Sequence, residues 1–243
     1  MGADRRHRGR RVSQLADLKG SYRYGLVLAL TVLSTGMQML LPDTAPSQLA
    51  QTLLMGATVI TALFAEGATA RQWRRVGLLV GLAVVVLIVT SIAGQGSTGR
   101  SVMFGSGGIL ALAGAAIVTR GVVGGIRVER RVTLHTVMGA LTVYLLAGLV
   151  FAFAYSVMDE VAATAVLSHL GSDKHAEEVY FSFITLTTVG YGDIAPTAAA
   201  ARMSSVLEAL FGQLYLVTIV AVIVSNVGAR AHETMRTRPD PAD

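Results

Sequence analysis

The strongest constraint on this chain is a set of long, largely apolar stretches, because few folds accommodate them. Six stretches of 18 residues or more occur along the sequence, at positions 24–41, 48–65, 76–94, 102–119, 136–158 and 203–228. At a rise of 1.5 Å per residue, each is long enough to cross a hydrocarbon core of about 30 Å as a helix. Only 14% of the 243 residues are charged, against about 25% in soluble domains. The sequence therefore predicts an all-α membrane protein with six transmembrane helices.

Basic residues in the connections between these stretches test the count independently. They concentrate in the N-terminal segment, in the second and fourth connections and in the tail, at Arg5, Arg6, Arg8, Arg10, Arg11, Lys19, Arg23, Arg71, Arg74, Arg75, Arg120, Arg127, Arg130, Arg131, Arg230, Arg236 and Arg238. The positive-inside rule predicts this alternation for six spans with both termini cytoplasmic. A cleaved signal peptide is the alternative for the N-terminus, but no convincing small-residue cleavage site follows the first stretch.

Several function classes are disfavoured by composition. Cysteine is absent, so disulfides and cysteine-ligated metals are excluded. The net charge of +5 resides in the connections between spans, which argues against nucleic-acid binding. The five histidines show no metal-ligand or nucleophile spacing, so we do not expect an enzyme. The cluster Asp173, His175, Glu177 and Glu178 reads either as a divalent-ion site or, preferably, as a solvated outer turret.

A short helix is predicted between the fifth and sixth stretches. Residues 177–187 are apolar and helical in pattern, but eleven residues reach only about 16 Å, half a membrane. Glu177 and Glu178 fall in the predicted first turn, where acidic groups suit the positive end of the helix dipole. We interpret the segment as a re-entrant half-helix, with an amphipathic surface helix as the alternative.

The run Thr187-Thr188-Val189-Gly190-Tyr191-Gly192-Asp193 follows this half-helix directly. It resembles the selectivity filter of potassium channels, whose signature is TVGYG. The resemblance extends over about 135–228 and implies a homotetrameric pore in a cell membrane. In such a pore, K⁺ is the permeant ion, coordinated by Thr188, Val189, Gly190 and Tyr191, and no cofactor is needed. Gly190 and Gly192 permit backbone angles that turn successive carbonyls toward one axis.

The resemblance also assigns roles around the filter. Thr187, Asp193 and Tyr180 are expected to support it, with Tyr180 steadying Asp193, and the side chains of Val189 and Tyr191 are expected to wedge it against the half-helix. Ile184 stands where some bacterial members carry a glutamate, which puts glutamate-dependent inactivation in doubt. Glu208 is either a further filter support or an interfacial residue.

The sixth stretch has its own candidates for gating. Gly212 is expected to be either a hinge, since glycine weakens a helix by about 1 kcal/mol, or a close packing contact. The residues predicted to line the cavity are Gln213, Leu216, Val220 and Val224. Their largely apolar character suggests gating by constriction and dewetting.

The predicted organisation is a basic cytoplasmic tail (1–23), a four-helix transmembrane domain (24–119), a basic cytoplasmic linker (120–134), a pore domain (135–228) and a cytoplasmic tail (229–243). Voltage sensing needs several arginines within one span, and 102–119 contains no charged residue. We therefore expect weak or absent voltage dependence. A tail of about fifteen residues is too short for a ligand-binding domain.

Other functions are weighed against a passive potassium channel. A secondary transporter related to channels would carry four filter-like loops, and this chain has one. A less selective cation channel or a regulatory membrane subunit with an inactive pore are the remaining alternatives, although the filter shows no damage. The expected partners are three further copies of the chain, the lipid bilayer and K⁺ ions, with no nucleic acid.

Overall fold

The computed structural model describes residues 23–42, 44–66, 68–93, 96–129, 133–162, 164–168 and 173–236. Within these ranges every regular element is a helix, and seven helices are present. They are α1 (23–40), α2 (Ala45–Glu66), α3 (Ala70–Ala93), α4 (Ser97–Glu129), α5 (Leu134–Val161), α6 (Lys174–Leu186) and α7 (Ala199–Arg236). The only pairing of strand type in the described part is an isolated bridge between Leu167 and Pro196.

Five of these helices are long and apolar enough to cross a membrane: α2, α3, α4, α5 and α7. The predicted all-α membrane fold is therefore confirmed. The helix α1 is not among the five; its described part spans 18 residues and begins at the charged Arg23. The predicted count of six spans is thus not confirmed.

The helix α4 continues past the predicted end of its span at residue 119 and reaches Glu129. Its glycines do not break it, and Gly121 brings it close to its neighbours. The backbone N–H of Gly121 donates to Glu66 Oε1 at 2.9 Å, and a Cβ at this position would lie 2.3 Å from the hydroxyl oxygen of Tyr24. Residues 120–129 of the predicted linker are thus helical. The missing side chain of Gly121 lets α1, α2 and α4 meet at this point.

Close packing of α4 on α5 joins the four-helix region (α1–α4) to the C-terminal helices. Gly107 and Gly108 of α4 face Phe153 of α5, and a Cβ at Gly107 would lie 2.7 Å from the Phe153 ring. Behind this contact lies an apolar core that includes Leu110, Leu146, Leu149, Ala152 and Val179. Small residues that let helices approach closely are typical of packing in lipid.

The short helix α6 lies among α5 and α7 and has 13 residues, a length of about 20 Å. It begins at Lys174, three residues before the predicted start. Glu178 therefore lies in its second turn, and the placement in the first turn was wrong. Gly148 of α5 accommodates the ring of Phe183 from α6, since a Cβ there would lie 2.9 Å from a ring carbon.

Candidate functional site

The TTVGYGD segment (Thr187 to Asp193) leaves the C-terminal end of α6 with an unusual backbone. Every second residue has a positive φ: Thr188 at 60°, Gly190 at 52° and Gly192 at 80°. Glycine adopts this region readily, but a threonine there costs about 1–3 kcal/mol. Left-handed residues at alternate positions turn successive carbonyls toward one side, which is the geometry that the predicted ion coordination needs. The positive φ of Thr188 was not predicted.

Hydrogen bonds hold the first half of the segment against the last turn of α6. The carbonyl of Ile184 accepts from the N–H groups of Val189 at 2.8 Å and Gly190 at 3.1 Å, and Thr188 N–H donates to Thr185 O at 2.9 Å. Thr187 donates through its hydroxyl to Phe183 O at 2.6 Å. These bonds stabilise the strained conformation of Thr188. The side chain of Ile184, at the position of the family glutamate, is buried.

The helices α5 and α7 both contact the end of α6. The hydroxyl of Tyr144 donates to Leu186 O at 3.0 Å. From the other side, Gly212 approaches so closely that a Cβ would lie 2.0 Å from the same carbonyl oxygen. The helix α7 runs unbroken through Gly212 from Ala199 to Arg236. The geometry favours the packing interpretation of Gly212, while the hinge stays a prediction.

The outer end of the segment is tied back to α6. The hydroxyl of Tyr180 donates to Asp193 Oδ2 at 2.8 Å, and the N–H of Ile194 donates to Oδ1 of the same aspartate at 3.0 Å. The bond to Asp193 raises the pKa of Tyr180, so the phenol remains a donor at neutral pH. The structure thus places this predicted pair together.

Glu208 lies buried where α5, α6 and α7 meet, and its side chain is 0% exposed. Its Oε2 accepts from the Tyr155 hydroxyl at 2.9 Å, and its Oε1 accepts from Ser182 of α6. Ser182 also lies 2.7 Å from Gly148 O. The interfacial alternative does not describe this position. Glu208 contacts the half-helix two residues from Tyr180 and not the TTVGYGD segment itself.

Much of the predicted site is exposed in a single chain. Val189 is 52% exposed and Tyr191 is 72% exposed. They do not wedge against α6 of their own chain. On α7, the predicted cavity residues Gln213, Leu216, Val220 and Val224 are also exposed. The packed face of α7 is a different one, with Ala201, Glu208 and Gly212 buried and Tyr215 donating to Ala140 O at 2.7 Å.

The acidic cluster at the start of α6 is where the sequence interpretation was wrong. His175 and Glu178 are each 2% exposed, so they do not belong to a solvated turret. Within the described ranges no group of three acidic, histidine or cysteine residues is placed to hold a metal ion. Lys174 donates to Asp159 at 2.7 Å, and this hydrogen bond raises the pKa of Lys174.

The tyrosines and Ser182 that organise α6 were not predicted either. Tyr144, Tyr155 and Ser182 lie in apolar sequence, and a buried tyrosine hydroxyl needs a hydrogen-bond partner. Tyrosines within a span were therefore the available signal. Their partners, however, lie 42 and 53 residues away along the chain.

Comparison with known proteins places this geometry in context. Residues 140–228, from α5 to most of α7, match the model of a family described as ion channel. The chain is 33% identical over 99 residues to two pore potassium channel a from Oryza sativa subsp. japonica, covering 41% of this chain and 25% of the relative. The chain thus spans about a quarter of the length of that relative. No solved structure matches this chain.

Proposed function

We propose, from the premise that residues 140–228 form an ion-channel pore domain of the potassium-channel type, that copies of this chain assemble into a K⁺-selective pore. Passive conduction would run along the TTVGYGD segment. The observation that carries the proposal is the alternation of positive φ at Thr188, Gly190 and Gly192 at the end of a half-membrane helix. Backbone carbonyls of Thr188, Val189, Gly190 and Tyr191 replace the hydration shell of the ion.

The exposure of the TTVGYGD segment in a single chain supports an assembly of several copies. Irregular backbone at membrane depth is tolerated only where protein covers it or where it lines water. Val189 and Tyr191 are 52% and 72% exposed here, so neighbouring subunits must cover them while the carbonyls face water. Potassium-channel filters are built from four such loops, and we therefore propose a homotetramer. In that assembly the wedging partner of Tyr191 belongs to the next subunit.

The electrostatics support a cation. The C-terminal end of a helix carries about half a negative charge, and α6 ends at Leu186, directly before the segment. Four such ends around one axis would stabilise a cation in the cavity below. The proposed cavity lining from α7, Gln213, Leu216, Val220 and Val224, is one amide and three aliphatic side chains, which bind no ion tightly.

The remaining assignments follow the predicted organisation. We propose a plasma-membrane location, cytoplasmic termini, and a four-helix domain (24–119) attached to the pore domain (135–228) by residues 120–134, of which 120–129 continue α4. No voltage sensing is proposed, because 102–119 carries no charge; in α4, Arg100 instead pairs with Glu160 of α5. A conductance–voltage curve steep enough to require several gating charges would contradict this assignment.

Purified protein in lipid vesicles tests the pore directly. We expect uptake of ⁸⁶Rb⁺ to exceed that of ²²Na⁺ by at least tenfold and to be blocked by Ba²⁺. The test variants are Gly190→Ala and Gly192→Ala. A Cβ at either position meets no atom within 4 Å in the chain, so they perturb the backbone conformation only. Both should abolish the preference for Rb⁺.

Gly81→Ala in α3 is the matched control, since a Cβ there also meets nothing within 4 Å and its φ is not positive. It should conduct like the wild type. Unchanged selectivity in both filter variants, or a monomer by mass measurement in the membrane-mimetic state, would falsify the proposal. Equal Rb⁺ and Na⁺ uptake by the wild type would favour the less selective cation channel instead.

A further inference from the structure

A buried polar cluster lies at the other end of α6, where the helix meets α1, α4 and α5. His175 and Glu178 are each 2% exposed. The imidazole lies between two aromatic rings, with centroids 4.9 Å from Phe104 and 5.4 Å from Phe153 and an interplanar angle of 27° to each. Nothing in the conduction of K⁺ by the TTVGYGD segment requires this cluster.

The hydrogen-bond partner of His175 Nε2 determines whether this nitrogen carries a hydrogen. Gln38 of α1 donates through Nε2 to Ser34 O at 3.2 Å, so its carbonyl Oε1 is the atom that faces the imidazole. This Oε1 lies 3.2 Å from His175 Nε2. A carbonyl oxygen only accepts, and His175 Nε2 must therefore carry a hydrogen.

The other nitrogen belongs to a chain of three groups. His175 Nδ1 lies 2.9 Å from Ser156 Oγ, and Ser156 Oγ is in turn hydrogen-bonded to Glu178 Oε2. The serine has one hydroxyl hydrogen, and its oxygen also lies 3.2 Å from Ala152 O, so the bonds to His175 and Glu178 need at least one further hydrogen. This hydrogen resides either on the imidazole, as an imidazolium beside a carboxylate, or on the carboxyl beside a neutral ring. In both forms the group holds one proton more than a neutral histidine and a free carboxylate.

We propose that His175, Ser156 and Glu178 form a proton-binding site through which pH acts on the pore. The inference rests on the proposed function for its readout and concerns a different part of α6. A histidine that changes charge between about pH 5 and pH 8 is the usual element of such a site.

A small cavity, lined mainly by apolar residues with a few polar groups, adjoins the site. Its volume is about 30 Å³, and its lining includes Gln48, Gln51, Thr52 and His175. Gln51 Nε2 is buried and has no hydrogen-bond partner among the described residues. A water needs about 10–15 Å³ of such volume and several polar partners, so the cavity accommodates about two. A water bound there would satisfy Gln51 Nε2.

Most other charged groups near the site have partners of their own, but the buried Oδ1 of Asp173 has no hydrogen-bond partner among the described residues. Lys174 pairs with Asp159 at 2.7 Å, and Arg100 of α4 pairs with Glu160. On α6 itself, Asp173 precedes the helix and Glu177 is partly exposed. The described residues of α1 and α2 that line the adjoining cavity are uncharged: Gln38, Gln48, Gln51, Thr52 and Met55. The titratable groups at the cluster are therefore His175, Glu178 and Asp173.

Loss of the shared proton weakens the contacts that hold the start of α6 against α5. One of the hydrogen bonds through Ser156 loses its hydrogen. In the imidazolium form the buried Glu178 carboxylate also loses the positive charge 3.6 Å away, and in the other form the neutral carboxyl becomes a buried carboxylate beside a neutral ring. An unpaired buried charge is strongly destabilising. The same helix ends at the TTVGYGD segment. The conducting fraction should therefore fall as pH rises on the side facing the start of α6.

The test uses ⁸⁶Rb⁺ uptake by vesicles whose outer pH is stepped from 5 to 8. The wild type should lose conduction about fivefold or more over this range, the lower end of usual allosteric coupling. His175→Gln and Glu178→Gln keep hydrogen-bonding groups without the titration and should flatten the profile. Gln38→Leu, which removes the Nε2 partner, should displace the midpoint. His135→Gln, at the opposite end of α5, is the matched control and should keep the wild-type profile.

Direct titration separates this proposal from the proposed function. The imidazole of His175 is followed by NMR in the full-length protein, with His175→Gln used for assignment. If the protein conducts nothing, a His175 titration that is displaced in Glu178→Gln still supports the proton site. A wild-type pH profile in a correctly assembled His175→Gln, a profile that rises with pH, or a His175 resonance unaffected by Glu178→Gln would each overturn it.

Discussion

The four-helix region and the C-terminal helices α5–α7 use polar side chains in different ways. In α1–α4, most hydroxyls bond within their own helix: Thr31 to Val27 O, Thr58 to Leu54 O and Thr90 to Val86 O. In α5–α7, Thr142, Ser205 and Ser225 do the same, but four further hydroxyls cross between helices: those of Tyr144, Tyr155, Ser182 and Tyr215. A bond within a helix fixes no neighbour, whereas a bond between helices fixes the position of an acceptor.

This difference teaches what each region is built to do. The interhelical hydrogen bonds of Tyr144 and Ser182 hold α6 directly, and those of Tyr155 and Tyr215 join α5 to α7 beside it. Together they position the start of the TTVGYGD segment. The four-helix region packs through glycine contacts such as Gly107 on Phe153, which allow close approach without directional constraint. The described exceptions include Gln38 on His175, Glu66 on Gly121 and Arg100 on Glu160. Directional hydrogen bonds therefore position individual atoms in α5–α7, whereas the four-helix region is held mainly by close packing of complementary surfaces.

The largest effect is expected at Gly212. An alanine Cβ would lie 2.0 Å from Leu186 O, a backbone atom that cannot move without displacing the TTVGYGD segment. Gly212→Ala should therefore lower the thermal midpoint of the assembled protein in detergent and abolish ⁸⁶Rb⁺ uptake. Gly124→Ala in α4, where a Cβ meets nothing within 4 Å, should leave both unchanged. A Gly212→Ala protein that is fully stable but closed would instead support the hinge.

The second effect concerns Glu208. Glu208→Leu leaves the buried Tyr155 hydroxyl without its acceptor, which costs about 1–3 kcal/mol. Glu208→Gln keeps an acceptor of the same shape and should lose less than half as much. Chemical denaturation of the two variants in detergent, with Rb⁺/Na⁺ selectivity measured alongside, checks the difference. Equal loss in both variants would show that the carboxylate charge matters and not the hydrogen bond to Tyr155.

The sequence was most informative where the structure is local. The TTVGYGD segment, the half-helix before it and the pair Tyr180–Asp193 all lie within 20 residues, so a motif carries their relationship. The apolar stretches likewise predicted the spans of α2, α3, α5 and α7. Helix α4 continues further than predicted. Gly121 lies within this extension and contacts Tyr24 and Glu66 of other helices, and such contacts cannot be recognised from the local sequence.

Where the sequence failed, the deciding contact is distant. His175 reads as part of a polar loop, yet Gln38, 137 residues away, bonds its ring, and Phe104 covers one face. For Glu208 the sequence left two interpretations open, a filter support and an interfacial residue, and its burial is explained only by Tyr155 and Ser182. A buried polar residue is recognisable as such only when its partners are known, and these partners come from other helices.

A smaller effect is expected at Tyr180, because its hydrogen bond to Asp193 is exposed. Tyr180→Phe should change the free energy of unfolding by less than about 1 kcal/mol but reduce Rb⁺/Na⁺ selectivity a few-fold, since the outer end of the segment loses its tie to α6. Asp193→Asn with and without Tyr180→Phe completes a double-mutant cycle. Additive effects on selectivity would mean that the two side chains act independently.

The smallest effect is expected in the four-helix region. The hydroxyl of Thr58 is bonded to Leu54 O of its own helix at 2.9 Å, and Thr58→Val removes that bond while leaving volume and packing nearly the same. Because hydrogen bonds in membranes average only about 0.6 kcal/mol and this one positions no neighbour, unfolding and Rb⁺ uptake should both stay at wild-type values. Ser182→Ala, of similar burial in α6, provides the contrast and should reduce uptake. If Thr58→Val impaired conduction as much as Ser182→Ala, hydroxyls that bond within a helix would matter as much as those that bridge helices, and the distinction between the two regions would fail.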